Sequence, residues 1–174
     1  MGSQTSLDRH GTTAVLDGLR RIVQTLRLSS VKAQRATGLS GAQLFVLQQL
    51  AEAPAQSLND LAERTRTHQS SVSVIVTRLV GRGLVSRRRS PEDARRLLLE
   101  LSPGGHALLA DAPETAQGRL LEALEGLPAR SLRPLGASLH LIADALGGGS
   151  PGGPPELFFE PPHGGRRSHR QKGR

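Results

Sequence analysis

The sequence predicts a mainly α-helical chain with one small antiparallel β-wing: a winged helix-turn-helix domain plus long helices forming a dimerisation region. Three observations predict it. Apolar residues recur at helical spacing along most of the chain. Near its middle, a short capped helix is followed after a tight turn by a helix with an uncharged polar face. An arginine-rich stretch with the punctuation of a hairpin comes directly after.

The elements follow in order. Residues 1–6 are polar and expected to be disordered. Residues 7–38 form a first long helix, with Leu16, Leu19, Ile22, Val23 and Leu26 in one stripe. Gly11 and Gly18 weaken its early turns by roughly 1 kcal/mol each relative to alanine. Little upstream can cover that stripe, so it is assigned a share in a subunit interface.

The winged domain is assigned to residues 39–101. Its start is strongly marked: Ser40 and Gln43 suit a capping box, with Leu39 and Leu44 as the ends of a hydrophobic staple. Leu44, Leu47 and Leu50 mark a buried face, and that helix stops near Pro54. Ser57 caps the next helix, with Asp60 in its first turn and Leu58, Leu61 and Ala62 turned inward. Residues 64–67 form the turn.

The stretch His68–Gly83, HQSSVSVIVTRLVGRG, places Val72, Ile75, Val76 and Leu79 on one face. Between them Gln69, Ser70, Ser71, Ser73 and Thr77 present short donors and acceptors, with Val74 among them and Arg78 beyond. A helix facing only water would carry Glu and Lys there. Short hydroxyls and an amide suit close approach to base edges in a major groove, and Val74 suits a thymine methyl. This is the expected recognition helix, and Gly83 closes it.

Residues 84–88 and 96–101 read as two strands joined by the turn Arg89–Arg95. From Arg78 to Arg96 there are seven arginines against two acids, Glu92 and Asp93. From Leu97 to Gly147 there are six acids against three arginines. A basic centre beside a mildly acidic helical part is the layout of a DNA-contacting unit carried on another. Residues 102–147 are assigned to dimerisation: Ser102-Pro103 opens a helix, and helices over 105–125 and 128–146 break at Gly126-Leu127-Pro128. Their leucine content exceeds what one helical hairpin can bury. Residues 148–174 are rich in Gly and Pro, end basic, and are expected to be disordered. Leu157, Phe158 and Phe159 form an apolar island in them.

Several classes find no support. There is no cysteine for a disulfide or thiol switch. No apolar run reaches the ~18–20 residues that span a bilayer, so a cytoplasmic location without membrane contact is expected. No nucleophile–base pair, carboxylate pair or phosphate-cradling loop is visible, so the chain is not read as an enzyme and no cofactor is assigned. His10, His68, His106, His140, His163 and His169 form no close pair at metal-ligand spacing. A metal-responsive regulator is therefore an alternative, as is a winged-helix module for protein contacts.

Residues 40–109 resemble the MarR family of winged-helix transcription regulators. The match rests on Leu58-x-x-Leu61-Ala62, Ser70-Ser71-Val72-Ser73, Arg78-Leu79 and Arg82-Gly83-Leu84-Val85. Above all it rests on Pro91-Glu92-Asp93-Ala94-Arg95, then Leu101-Ser102-Pro103-Gly104-Gly105. The departures are Thr67 and His68 where an apolar residue and a serine cap are usual, Val80 where an acid is common, and Ala94 where a base is common. The resemblance implies a homodimer, with Arg95 entering a minor groove and Asp93 steadying the wing by pairing with an arginine.

The expected function is a dimeric repressor on a near-palindromic double-stranded DNA operator. Gln69, Ser70, Ser71, Ser73 and Val74 would read bases, with His68 and Thr77 in the same surface. Arg78, Arg88 and Arg89 would bind phosphates. A small-molecule effector is implied by the resemblance alone; Phe45 is the one aromatic placed to stack on it.

Overall fold

The computed structural model describes residues 2–89 and 97–147. In chain order the elements are α1 (Gly2–Thr37), α2 (Gly41–Glu52), α3 (Leu58–Arg64), α4 (Gln69–Gly81), β1 (Val85–Arg89), β2 (Leu97–Leu101), α5 (Pro103–Leu109), α6 (Ala116–Glu125) and α7 (Ala129–Ala145). The predicted class, mainly helical with one two-stranded antiparallel wing, is the class observed.

α2 is the centre of the lobe. Ser40 caps it as a full capping box: its hydroxyl accepts from Gln43 N at 3.2 Å, and the Gln43 side chain accepts from Ser40 N at 3.2 Å. Leu39 and Leu44 are both sealed, as the ends of a staple should be. Around α2 the core gathers Leu61 from α3, Val72, Val76 and Leu79 from α4, and Val85 and Leu99 from the wing. With Phe45, Val46, Leu47 and Leu50 also buried, α2 is apolar nearly all round, the mark of a core helix.

The sheet pairs β1 with β2 from Val85↔Leu101 to Arg89↔Leu97. Each strand lies one residue beyond the reading at its start. Ala55 extends the sheet, exchanging hydrogen bonds with Leu99 at 2.9 and 2.8 Å. Ser102 caps α5, accepting from Gly105 N at 3.0 Å and donating to Gly83 O at 2.6 Å.

Two expectations are corrected. α1 begins at Gly2 and not at Leu7, so residues 2–6 belong to the helix. Once a helix is nucleated, each added residue gains a hydrogen bond, and short polar side chains do not stop it. The helix read over 105–125 is two helices, α5 and α6. Pro113 lacks an N–H and disfavours the helical conformation at Ala112. Thr115 then caps α6, accepting from Gly118 N at 3.4 Å.

That break ties the lobe to its flanking helices. Thr115 donates to Gln48 Oε1 at 3.0 Å, and Gln48 Nε2 donates to Pro113 O at 3.0 Å. Ala116 N donates to Ser29 Oγ at 2.9 Å, and Gly41 N to Ser30 Oγ at 3.2 Å. Gln117 is buried at the same junction, with neither amide atom hydrogen-bonded among the described residues. α7 differs from every other long helix. None of its residues is buried, and Leu132, Leu135, Leu139 and Ile142 form an open apolar stripe continued by Leu146.

Candidate nucleic-acid interface

The candidate surface is positioned by two helix ends. Ser57 caps α3 by accepting from Asp60 N at 3.0 Å. α3 closes with Arg66 N donating to Glu63 O at 3.1 Å and Thr67 N to Ala62 O at 2.9 Å, the double bond of a Schellman motif. The left-handed position of that motif usually holds glycine; here Arg66 holds it, at φ 52°. Arg64 fixes the turn from below, donating to Ala53 O at 2.8 Å and Gln49 O at 3.2 Å.

α4 ends in a second Schellman motif. Leu84 N donates to Leu79 O at 3.0 Å and Gly83 N to Val80 O at 2.9 Å, with Gly83 at φ 71°. Only a residue without a Cβ adopts that conformation freely, and it turns the chain directly into the wing. At the other end His68 occupies the N-cap position, but its side chain makes no capping bond.

Along α4, Val72, Ile75, Val76 and Leu79 face the core as the periodicity predicts. Gln69, Ser70, Val74 and Thr77 are exposed, so Ser70, Val74 and Thr77 form an outer row at i, i+4, i+7. His68 is exposed at the head of this row, while Ser73 and Arg78 are half-buried on its flanks. Ser71 is the correction. It is 6% exposed and shares the inner stripe with Val72 and Ile75, so its side chain is not on the outer face of α4 where the sequence reading put it.

On the wing, Arg87, Arg88 and Arg89 are all exposed. Arg88 reaches Glu100 Oε2 diagonally across the two strands at 3.5 Å. Arg82 serves a different end: its Nη1 donates to Gly38 O at 2.7 Å, fastening the end of α4 to the α1–α2 turn. The seven arginines of the basic stretch are therefore not equivalent. Asp93 and Arg95 lie outside the described residues, as does the stretch 148–174. Two basic residues escaped the sequence reading. Arg87 continues the exposed row of β1, and Arg66 stands in the turn ahead of α4, 3.3 Å from Glu125 Oε1. The signal for Arg66 was its place in the short turn between α3 and α4.

Between α2, that turn and α6 lies a crevice of about 530 Å³. Phe45 lines it together with Arg64, Arg66, Arg119, Glu122 and Glu125. Among the described residues no group of three or more His, Cys, Asp and Glu is placed to hold a metal. No helix there is long and apolar enough to cross a membrane.

Comparison with known proteins agrees with this geometry. Residues 37–96 match the MarR family model. The chain is 28% identical over 120 residues to YdgJ, an uncharacterized HTH-type transcriptional regulator of Bacillus subtilis, covering 69% of this chain and 70% of that protein. It is also 28% identical over 87 residues to the HTH-type transcriptional repressor MdtR of the same organism, covering 50% of this chain and 56% of MdtR. Apo MarR from E. coli superposes with TM-score 0.50 at 24% identity, covering 73% of this chain and 96% of MarR. A MarR family regulator from Streptomyces coelicolor, solved in complex with DNA, gives TM-score 0.50 at 22% identity, covering 81% and 88%. These solved neighbours share the winged-helix fold. With residues 37–96 matched and HTH-type transcriptional regulators among its relatives, this chain carries a DNA-binding domain of the MarR family of transcriptional regulators.

Proposed function

We propose that this regulator is a dimeric repressor, working in the cytoplasm on a near-palindromic duplex operator. The observation that carries the reading is the outer row of α4, with uncharged donors and one wholly apolar side chain where a solvated helix would be charged. Gln69, Ser70, Val74 and Thr77 read base edges, with Ser73 at their margin. Arg78, Arg88 and Arg89 hold phosphates, joined by Arg66 and Arg87. Arg95 senses the minor groove from the wing tip, and Asp93 steadies it. The α4 N-terminus, with no side-chain cap, suits a phosphate as well.

Dimerisation is supported by what the single chain leaves open. Val15, Leu16, Ile22 and Val23 of α1 and the whole stripe of α7 are exposed apolar surface. Surface of that extent is characteristic of an interface. Two copies then present two α4 helices with half-sites about one helical turn, ~10 base pairs, apart. The crevice beside Phe45 is the proposed seat of a small-molecule effector. It touches the turn that aims α4, so an occupant there moves the reading helix.

Selection of binding sites from random duplexes tests the reading. A recovered palindrome with that spacing supports it; no enrichment over random sequence overturns it. In a salt titration, Arg95→Ala is expected to lower the slope of log affinity by about one unit.

A further inference from the structure

Three hydrogen bonds tie the last turns of α1 and the turn after it to the ends of three other helices. Ser29 Oγ accepts from Ala116 N at the start of α6 at 2.9 Å, and Ser30 Oγ from Gly41 N at the start of α2 at 3.2 Å. The third bond is charge-assisted: Gly38 O accepts from Arg82 Nη1 at 2.7 Å. Arg82 is the C-cap residue of α4, so this bond runs from the arm to the reading helix itself.

Both ends of the bond are fixed in place. Gly38 closes α1 at φ 68°, with its N–H donating to Gln34 O at 2.9 Å. Thr37 Oγ1 donates to Ala33 O at 2.7 Å and accepts from Leu39 N at 3.2 Å, and Leu39 is sealed in the core. On the other side Arg82 N donates to Arg78 O at 3.1 Å. The fit is close as well, since a Cβ on Gly38 would stand 3.3 Å from Arg82 Nη2. The guanidinium lies at the C-terminal ends of α1 and α4 together, where the carbonyl dipoles favour a cation.

We propose that Arg82 is a positioning residue: by holding the end of α4 to the end of α1, it sets the half-site spacing that the protein accepts. This rests on the dimeric operator reading. In that reading α1 belongs to the arm that meets the second copy, so Gly38 O has a set place relative to the dimer axis. The bond carries that place to α4 and so fixes the distance and angle between the two reading helices. Arg82 itself touches no DNA, and each α4 reads its own half-site without it.

The test compares duplexes that differ only in spacing. They carry the palindrome recovered by selection, the same palindrome with one base pair added or removed at its centre, or a single half-site. One base pair turns the half-sites by about 34° and shifts them by about 3.4 Å relative to each other. Wild-type protein is expected to lose affinity for the altered spacings. In Arg82→Ala that loss should shrink by about three- to tenfold, because one hydrogen bond to a charged group is gone. Affinity for the single half-site should stay as in wild type. Arg82→Gln, which keeps the stem but ends two bonds short of the guanidinium nitrogens, should behave alike and serves if the alanine variant does not fold. Arg82→Lys, whose ammonium can donate to the same carbonyl, should restore the discrimination.

A residue that merely stabilised the lobe would lower affinity for every duplex alike. Spacing penalties equal to wild type in the two neutral variants overturn the proposal. So does a salt slope reduced by about one unit on the single half-site, since Arg82 would then be a phosphate contact. Wild-type protein indifferent to spacing would overturn the dimeric operator reading, and this inference with it. That result is distinct from a variant that keeps the wild-type penalty, which leaves the operator reading standing.

Discussion

The winged lobe and the helices that flank it use the same residue types to opposite effect. In the lobe Leu44, Leu47, Leu61, Val72, Val76 and Leu79 are all completely sealed, and each capped helix end closes onto the next element. In the flanking helices Val15, Leu16, Leu139 and Ile142 repeat with equal regularity and remain open. Burying a side chain of this kind contributes about 1.5–3 kcal/mol. The lobe obtains that stabilisation within one chain. The arms leave it unrealised within the described chain, so in the proposed dimer their stability would depend on concentration while that of the lobe would not.

The largest expected effect falls on the lobe. Leu47→Ala opens a cavity in a site with no exposed edge and should cost about 2–5 kcal/mol in urea unfolding. The loss should be the same at any protein concentration. Leu139→Asp sharpens the contrast from the other side. It puts a charge in the open stripe of α7, where the single chain has nothing to lose. Sedimentation should show dissociation to monomers, circular dichroism an intact lobe, and operator binding a loss of the two-site affinity. A dimer that survives Leu139→Asp would remove α7 from the interface.

A finer version of the same contrast runs across α4. Ser70→Ala, on the outer row, should change base preference at one operator position by about 1–3 kcal/mol without altering stability. Ser71→Ala, on the inner stripe, should do the reverse: about 1 kcal/mol in stability and no change in base preference. Equal effects of the two substitutions on the selected sequence would put the recognition surface elsewhere.

Much of this contrast was legible in the sequence, because caps and periodicity are local signals. Ser40, Ser57 and Ser102 each have a short side chain that bonds a backbone N–H three residues on, and each marks a true helix start. The buried row of α4 follows from apolar spacing alone. Ser71 did not, because a hydroxyl suits a groove and an inner flank equally, and periodicity does not say which flank of a stripe the core widens toward. The break at Pro113 was hidden by the leucines on either side of it. The loop it creates is held by Gln48 and Ser29, contacts 65 and 87 residues away in the chain that no local pattern displays.

The smallest expected effect is at Arg66, where three modest terms oppose one another. A left-handed non-glycine residue is strained by roughly 1–2 kcal/mol, so Arg66→Gly relieves the turn. Glycine gives back about 0.5–1 kcal/mol in unfolded-chain freedom, and the lost pair with Glu125, exposed at both ends, is worth ~0–1 kcal/mol. The net change in stability should stay within about 1 kcal/mol of zero. Operator affinity should nevertheless fall, with the salt slope reduced by about one unit, if Arg66 makes the proposed phosphate contact. A wild-type slope together with a large loss of stability would instead make Arg66 a brace between the reading turn and α6. The arginine would then belong to the arms' half of the molecule and not to its DNA-facing half.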